Sequence, residues 1–447
     1  MSCSLWWGVS NPPSPLPTPW PVETELRRRA EARGLLIGSS LPEGALSWVS
    51  YLLKRDCHDT MRREAPLAMG GEHSLFVDRE GRLHLACSLA AIQAGEVGGP
   101  LLGHDWSSAS VAVPPTLVSS MQGKRIVSVA SSKLHCLALS DEGEVYSWGD
   151  GTHGALGHAD GGAGTGPRRI ETLAHVESVA AGPIGSAAVD DRGTLFTWGR
   201  TTWQEWPTGL GCEHDPETEC QLTPKRVDAL LQDRVVGVAL GLGFTLAVTD
   251  AGAVFSFGSC FFGALGHGSM ESEVLPRRID ALTQTDRRFI AVTAGHGHAL
   301  ALAEEGEVYG WGHLFTNGRG EDLRTPQLVT ALAGQRVKLV YAQECSSCAV
   351  TASGELYTWG HVSPKSVHLG HGVKGPQRTP KRVGALHRAK VAAAAIGYRH
   401  TLVADTDGVG WAFGECSAIG LGNAVASRRG TVVPPTPIGT VYVRTLP

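Results

Sequence analysis

Short apolar runs recur in pairs along most of this chain, each pair broken by a polar turn that ends in glycine. The clearest copy reads His135-Cys-Leu-Ala-Leu-Ser, then Asp-Glu-Gly143, then Glu-Val-Tyr-Ser-Trp148-Gly149. Alternation of this kind predicts half-buried strands, and the turn between them predicts a β-hairpin. Glycine is required there because a tight hairpin holds one turn residue at positive φ, where a Cβ clashes. The equivalent glycines are Gly81, Gly143, Gly193, Gly252, Gly306, Gly354 and Gly408, separated by 62, 50, 59, 54, 48 and 54 residues. A period near fifty belongs to solenoids, propellers and arrays.

Three further elements hang on each glycine. The second strand of the hairpin ends in an aromatic residue and a glycine: Trp148-Gly149, Trp198-Gly199, Phe257-Gly258, Trp311-Gly312, Trp359-Gly360 and Phe413-Gly414. A ring at that point can wedge between neighbouring sheets. The first copy has Ala86-Cys87 instead and is expected to pack less well. A loop then carries Leu-Gly-His or a relative, as in Leu156-Gly157-His158, Leu265-Gly266-His267 and Leu369-Gly370-His371, with Gly318-Arg-Gly320 standing in once. A proline-led strand follows, such as Pro224-Lys-Arg-Val227 or Pro276-Arg-Arg-Ile279. Proline lacks the amide donor, so this strand is expected at the outer edge of its sheet. Apolar runs such as 235–240 and 289–294 lead into the next copy. Each repeat therefore supplies four strands, which is one propeller blade.

In this order the motifs resemble the regulator of chromosome condensation family. The stretches Gly295-His-Gly-His298-Ala-Leu-Ala-Leu302 and Gly397-Tyr-Arg-His400-Thr-Leu-Val-Ala404 are similar to its G-x-x-H-[TS]-x-A-L segment. The resemblance covers residues 65–447 and implies an all-β, seven-bladed β-propeller. A ring also follows from burial, since one four-stranded blade cannot cover both of its faces whereas a closed ring covers each with its neighbours. In the resembled family, histidines and acidic residues of one propeller face contact the Ran GTPase during nucleotide exchange. Carried over by repeat position, partner contact would fall to His73, His135, His298, Tyr398, Arg399 and His400. No residue matches a dedicated exchange wedge.

Composition narrows the partners. The formal charge of −4 offers no electrostatic footprint for nucleic acid, and no apolar run is long enough to cross a membrane. Neither nucleic acid nor membrane is expected to be a partner. The ten cysteines follow no disulfide spacing and fit a reducing compartment, so a cytoplasmic protein is expected, with the nucleus as the alternative. The expected state is a monomer that meets a protein partner.

Residues 1–64 form a separate extension. Six prolines between positions 11 and 21 predict an extended strap or linker, and 23–33 and 42–55 read as short helices. The simplest role is a helical cap. The stretch Leu41-Pro42-Glu43 to Leu52 is also similar to the opening of an F-box, which would make the chain a ubiquitin-ligase adaptor. Trp6-Trp7-Gly8, Pro19 to Val22, and Pro437-Ile438 leading into Val441-Tyr-Val443 are candidates for closing the ring with a terminal strand.

Catalytic chemistry has no residues to stand on. His73, His135, His298 and His400 share one repeat position, where Gly185, Phe244 and Ser346 stand in other copies, so symmetry spreads them around a ring instead of gathering them. Their default role is to satisfy local backbone groups. Cys345-x-x-Cys348 lacks a second ligand pair, and Cys348 falls where Leu137 and Leu300 point into their blades, so it reads as core. No phosphate loop, nucleophile elbow or zinc-protease motif occurs. No cofactor, metal or catalytic residue is expected. A plant ultraviolet photoreceptor is similar at Gly397 to Thr401, but its motifs carry tryptophan at the second position where Tyr398 stands here, so light reception is not expected. The basic pairs Arg168-Arg169, Lys225-Arg226, Arg277-Arg278 and Lys381-Arg382 are expected to turn one member each outward as edge charges that resist aggregation.

The reading that follows is a non-enzymatic interaction scaffold, with guanine-nucleotide exchange on a Ran-like small GTPase as the alternative and a ubiquitin-ligase adaptor as the third.

Overall fold

The computed structural model describes residues 67–439 apart from 72, 79, 88–112, 163, 204–205, 212–218, 314–315, 362–367, 374 and 416–431. The chain divides into two compact units, Met1–Thr60 and Met61–Pro447, and the described residues all lie in the second. The predicted helices, the proline-rich strap, the F-box-like stretch and the fragments at 6–8, 19–22 and 441–443 lie outside the described residues.

Seven four-stranded antiparallel sheets follow one another, spanning 67–117, 126–169, 176–226, 235–278, 289–328, 337–382 and 391–439. They are numbered here as blades 1 to 7. Within each, sequence order is spatial order, with the first strand innermost and the proline-led strand outermost. Innermost strands touch their neighbours all the way round, including blade 7 against blade 1. The ring is therefore closed. One further pair of two-residue strands, Thr202–Trp203 and Trp206–Pro207, decorates blade 3.

The core lies between blades, and the aromatic–glycine motif explains why. Trp148 of blade 2 packs with Leu75 and Val77 of blade 1 and with Val118 and Met121 of the connection that follows it. Trp198 packs into blade 2, Phe257 into blade 3, Trp311 into blade 4, Trp359 into blade 5 and Phe413 into blade 6. All six rings are fully buried. Blade 1 has Ala86 at this place, and its seam with blade 7 is filled by Leu67, Met69 and Phe76 against Leu402, Ala404 and Ala412.

The Leu-Gly loop is shaped by the next blade's wedge. Gly266 sits at φ 78°, and a Cβ there would lie 3.0 Å from the Trp311 indole nitrogen. Gly157, Gly211, Gly318 and Gly370 repeat both features against Trp198, Phe257, Trp359 and Phe413. Glycine is thus set by an inter-blade contact as well as by φ.

Pro437 lies in the outermost strand of blade 7, where it pairs with Trp411 of the third strand, and the expected first strand of a further copy at 441–443 lies outside the described residues. Among the described residues every blade is built from consecutive strands, and side chains seal the last seam. Both members of each basic pair are exposed, not the one expected from alternation. Several are held by carboxylates, as in Arg168 to Asp160, Arg169 to Glu144, Arg226 to Asp228, Arg277 to Glu273 and Arg382 to Glu355.

Candidate partner-binding face

One face of the ring carries the turns between first and second strands and the loops between third and fourth; call it the upper face. The hairpin glycines and the blade-to-blade connections form the lower face. His73, His135, His298 and His400 open the second strands at the upper face, yet none of them reaches the surface. Each is 0% exposed and spans to the next blade. His135 Nε2 lies 2.7 Å from Ser186 Oγ, His298 Nε2 2.7 Å from Ser347 Oγ, His400 Nε2 2.7 Å from Ser74 Oγ, and His73 Nε2 2.6 Å from Ser131 Oγ.

The tautomer follows from the serines. Ser186 donates its hydroxyl proton to the Ala155 carbonyl at 2.9 Å, and Ser347 donates to that of Thr316 at 3.1 Å. With the one hydroxyl proton committed, the imidazole Nε2–H must be the donor to serine. His135 Nδ1 meets Ser132 Oγ at 3.0 Å, whereas Nδ1 of His73, His298 and His400 has no partner among the described residues. Burial lowers these pKa values to about 4 for His73 and His135 and about 3 for His298 and His400. The rings are neutral links between blades. Their expected role in partner contact is corrected accordingly, since a buried imidazole offers no atom to a protein surface. The plainer expectation needs adjusting too, because serine hydroxyls of the next blade, more than local backbone, satisfy them.

Three seams lack a histidine at this repeat position. Gly185 leaves space that Leu240 approaches at the blade 3–4 seam, and Phe244 fills the same place in the next. Between blades 6 and 7, Ser346 Oγ meets His368 Nε2 at 2.7 Å while Thr401 donates to the His368 carbonyl at 2.7 Å.

The histidine of the Leu-Gly-His loop is also internal. Ser147 donates to the Leu156 carbonyl at 2.6 Å and accepts from His158 Nε2 at 2.9 Å. Ser256 with His267, and Thr358 with His371, repeat this. Blade 5 has lost both partners together: Gly310 replaces the hydroxyl residue, and the Asn317 carbonyl occupies the space its side chain would need. The signal was present in the sequence as a serine or threonine before the wedge in the copies that carry His158, His267 and His371.

The axis is strapped rather than open. Tyr341, on the innermost strand of blade 6, donates to Gln343 Oε1 at 3.1 Å, and Gln343 Nε2 donates to the Ser131 carbonyl of blade 2 at 3.4 Å. Blades 6 and 2 are three steps apart on the ring. Burial raises the pKa of Tyr341, keeping its phenol proton in place as donor.

What the upper face presents is therefore the tips of its turns and loops. Tyr398 is 45% exposed, with the Arg399 guanidinium 5.6 Å from its ring centroid. His296 Nε2 meets Glu344 Oε2 at 3.1 Å, linking blades 5 and 6. Phe262 is 54% exposed at φ 55°, with its ring against Gly297 and edge-on to His313 at 4.7 Å. Nothing in the sequence marked Phe262, because a single aromatic in a loop has no period. Cys348 is buried with its thiol pushed up to about 12, as a core residue should be, and no cluster of metal-ligating residues occurs among the described residues.

Comparison with known proteins agrees with this architecture. The RCC1-like domain matches residues 53–361 and the regulator of chromosome condensation (RCC1) repeat matches 353–404. The chain belongs to the RCC1-like domain family. It is 37% identical to the human E3 ubiquitin-protein ligase HERC2 over 76% of its own length, which is 7% of HERC2. It is 34% identical to the ultraviolet-B receptor UVR8 of Arabidopsis thaliana over 47% of this chain and 46% of that one, and 28% identical to human protein RCC2 over 75% and 66%. Among solved structures, Prp20p of Saccharomyces cerevisiae superposes with a TM-score of 0.65 over 86% of this chain and 89% of that chain, at 21% identity. That likeness bears on the fold. The chain thus shares the RCC1-like domain with these relatives and spans a small part of the HERC2 length.

Proposed function

We propose that this propeller is a non-enzymatic scaffold that engages a protein partner through its upper face. The observation that carries this reading is where the chemistry went: the repeated histidines and hydroxyl residues are consumed in bonds within and between blades, while Tyr398, Arg399, Phe262 and the His296–Glu344 pair stand at the surface. Exposed aromatic side chains such as Tyr398 and Phe262, with a half-buried arginine beside one of them, are of the residue types that anchor protein interfaces. A cytoplasmic or nuclear setting suits such a role.

Exchange on a Ran-like GTPase is the second reading. It draws on the solved structure of Prp20p, described with its binding to Gsp1p and histones. The ligase-adaptor reading draws on the kinship with HERC2, of which this chain matches a small part. Co-purification with the parent chain, compared with a Tyr398→Ala/Arg399→Ala/Phe262→Ala variant, tests the scaffold reading: partners are expected to be lost with the fold intact, and an unchanged set overturns it. Release of labelled GDP from a Ran-like GTPase separates the second reading. An exchange factor must prefer the nucleotide-free GTPase, so acceleration is the discriminating result. The expected rate is the intrinsic one.

A further inference from the structure

The outermost strand of every blade arches away from its neighbour. In blade 4, Glu273 pairs with Gly258 and Arg277 with Ser256, so Val274, Leu275 and Pro276 bulge out opposite Phe257 alone. The corresponding arches are Thr165-Gly166-Pro167, Leu222-Thr223-Pro224, Arg324-Thr325-Pro326 and Arg378-Thr379-Pro380 in blades 2, 3, 5 and 6, and Pro114-Pro115 and Pro434-Pro435 in blades 1 and 7. Among the described side chains, blade 4 alone puts two exposed aliphatic ones on its arch, Val274 at 43% and Leu275 at 46%. Met270 in the preceding loop is 45% exposed, and Leu231, beside the 228–230 turn that this strand touches, is 46% exposed. Four of the seven large apolar side chains exposed among the described residues thus gather on this strand and its flanks. A bulge with proline in it cannot extend the ladder, so a partner must bury side chains instead of adding a strand.

The charges at the two ends identify the partner. Glu271 lies three residues before Val274, and Arg278 three residues after Leu275. Both are exposed, and neither forms an ion pair among the described residues, whereas Arg277 between them is held by Glu273 at 2.6 Å. Acid, apolar centre and base are therefore spaced evenly about a point between Val274 and Leu275. Such a strip is complementary to itself when turned through a two-fold axis, which is the requirement for a symmetric dimer.

We propose that the blade 4 arch is a homodimer contact in which Val274 and Leu275 of two copies pack across a two-fold axis, with Glu271 of each copy meeting Arg278 of the other. The contact lies on the rim, apart from the upper-face residues, so it stands or falls independently of the scaffold reading. It also replaces the monomer expected from sequence.

Sedimentation equilibrium of the full chain over a range of micromolar concentrations is the test. The parent chain is expected to dimerise reversibly. Leu275→Glu is expected to weaken the dimer by about a hundredfold, since it places a carboxylate in an apolar contact, with a thermal melt that matches the parent's at concentrations where both are monomeric. Glu271→Arg and Arg278→Glu each put like charges at both ends and are expected to be monomeric alone, but to dimerise when mixed, because the mixed dimer restores both pairs. Tyr398→Ala should dimerise as the parent does. A parent chain that stays monomeric throughout overturns the proposal, as does a dimer that Leu275→Glu leaves intact or a mixture of the charge variants that fails to associate.

Discussion

Blades 2 and 4 share a backbone course and differ in both of the places where a blade meets something else. Toward its successor, blade 2 offers the neutral imidazole of His135 to Ser186, whereas blade 4 offers the ring of Phe244 at the same position. Toward water, blade 2 shows Arg168 paired to Asp160 beside a Thr-Gly-Pro arch, whereas blade 4 shows Val274 and Leu275. A hydrogen bond and an aromatic contact serve equally to join blades, so the seam tolerates either. The rim bears no such constraint from the ring. Apolar residues there must answer to something outside it.

The largest effect is expected at what the two blades share. Trp148→Ala in blade 2 and Phe257→Ala in blade 4 each remove a fully buried wedge and should destabilise the ring by about 3–5 kcal/mol in denaturant titrations. A loss below 1 kcal/mol for either would show that its seam does not depend on the wedge.

Acid should then separate seams with histidine from those without. The folded chain holds His73, His135, His298 and His400 neutral, with pKa values near 3–4 against 6.5 for an ordinary imidazole. Below pH 6.5 the unfolded chain therefore binds more protons than the folded one. Stability is fully present above that pH and is lost as the pH falls from there through about 4 for His73 and His135 and about 3 for His298 and His400. Replacing the blade 2 link with the blade 4 type, His135→Phe with Ser186→Ala, should make this loss shallower in melts recorded between these limits. An unchanged slope would mean that His135 is not held neutral by the fold.

A smaller effect is expected at the Leu-Gly loops. Gly157→Ala and Gly266→Ala combine positive φ with an approach to the next blade's indole, and each should lower stability by about 1–2 kcal/mol. The smallest belongs to the arch. Val274→Thr with Leu275→Gly, which gives blade 4 the arch of blade 2, should change the melting free energy by no more than about 0.5 kcal/mol. A large loss would mean that these side chains support blade 4 itself.

Strand order, blade number, hairpin glycines and wedges could all be read from the chain, because each is a local rule repeated seven times, and repetition separates a signal from chance. The seam chemistry could not. His135 and Ser186 are neighbours only once two blades pack, and the same repeat position that suggested a surface histidine becomes interior when the next blade closes over it. The strap from Gln343 to Ser131 joins residues 212 positions apart across the axis, a distance that no window along the sequence spans. Exposure of Phe262, Val274 and Leu275 was hidden for the opposite reason. Apolar residues in sequence are read as core, and only the packed ring shows that every buried place was already taken.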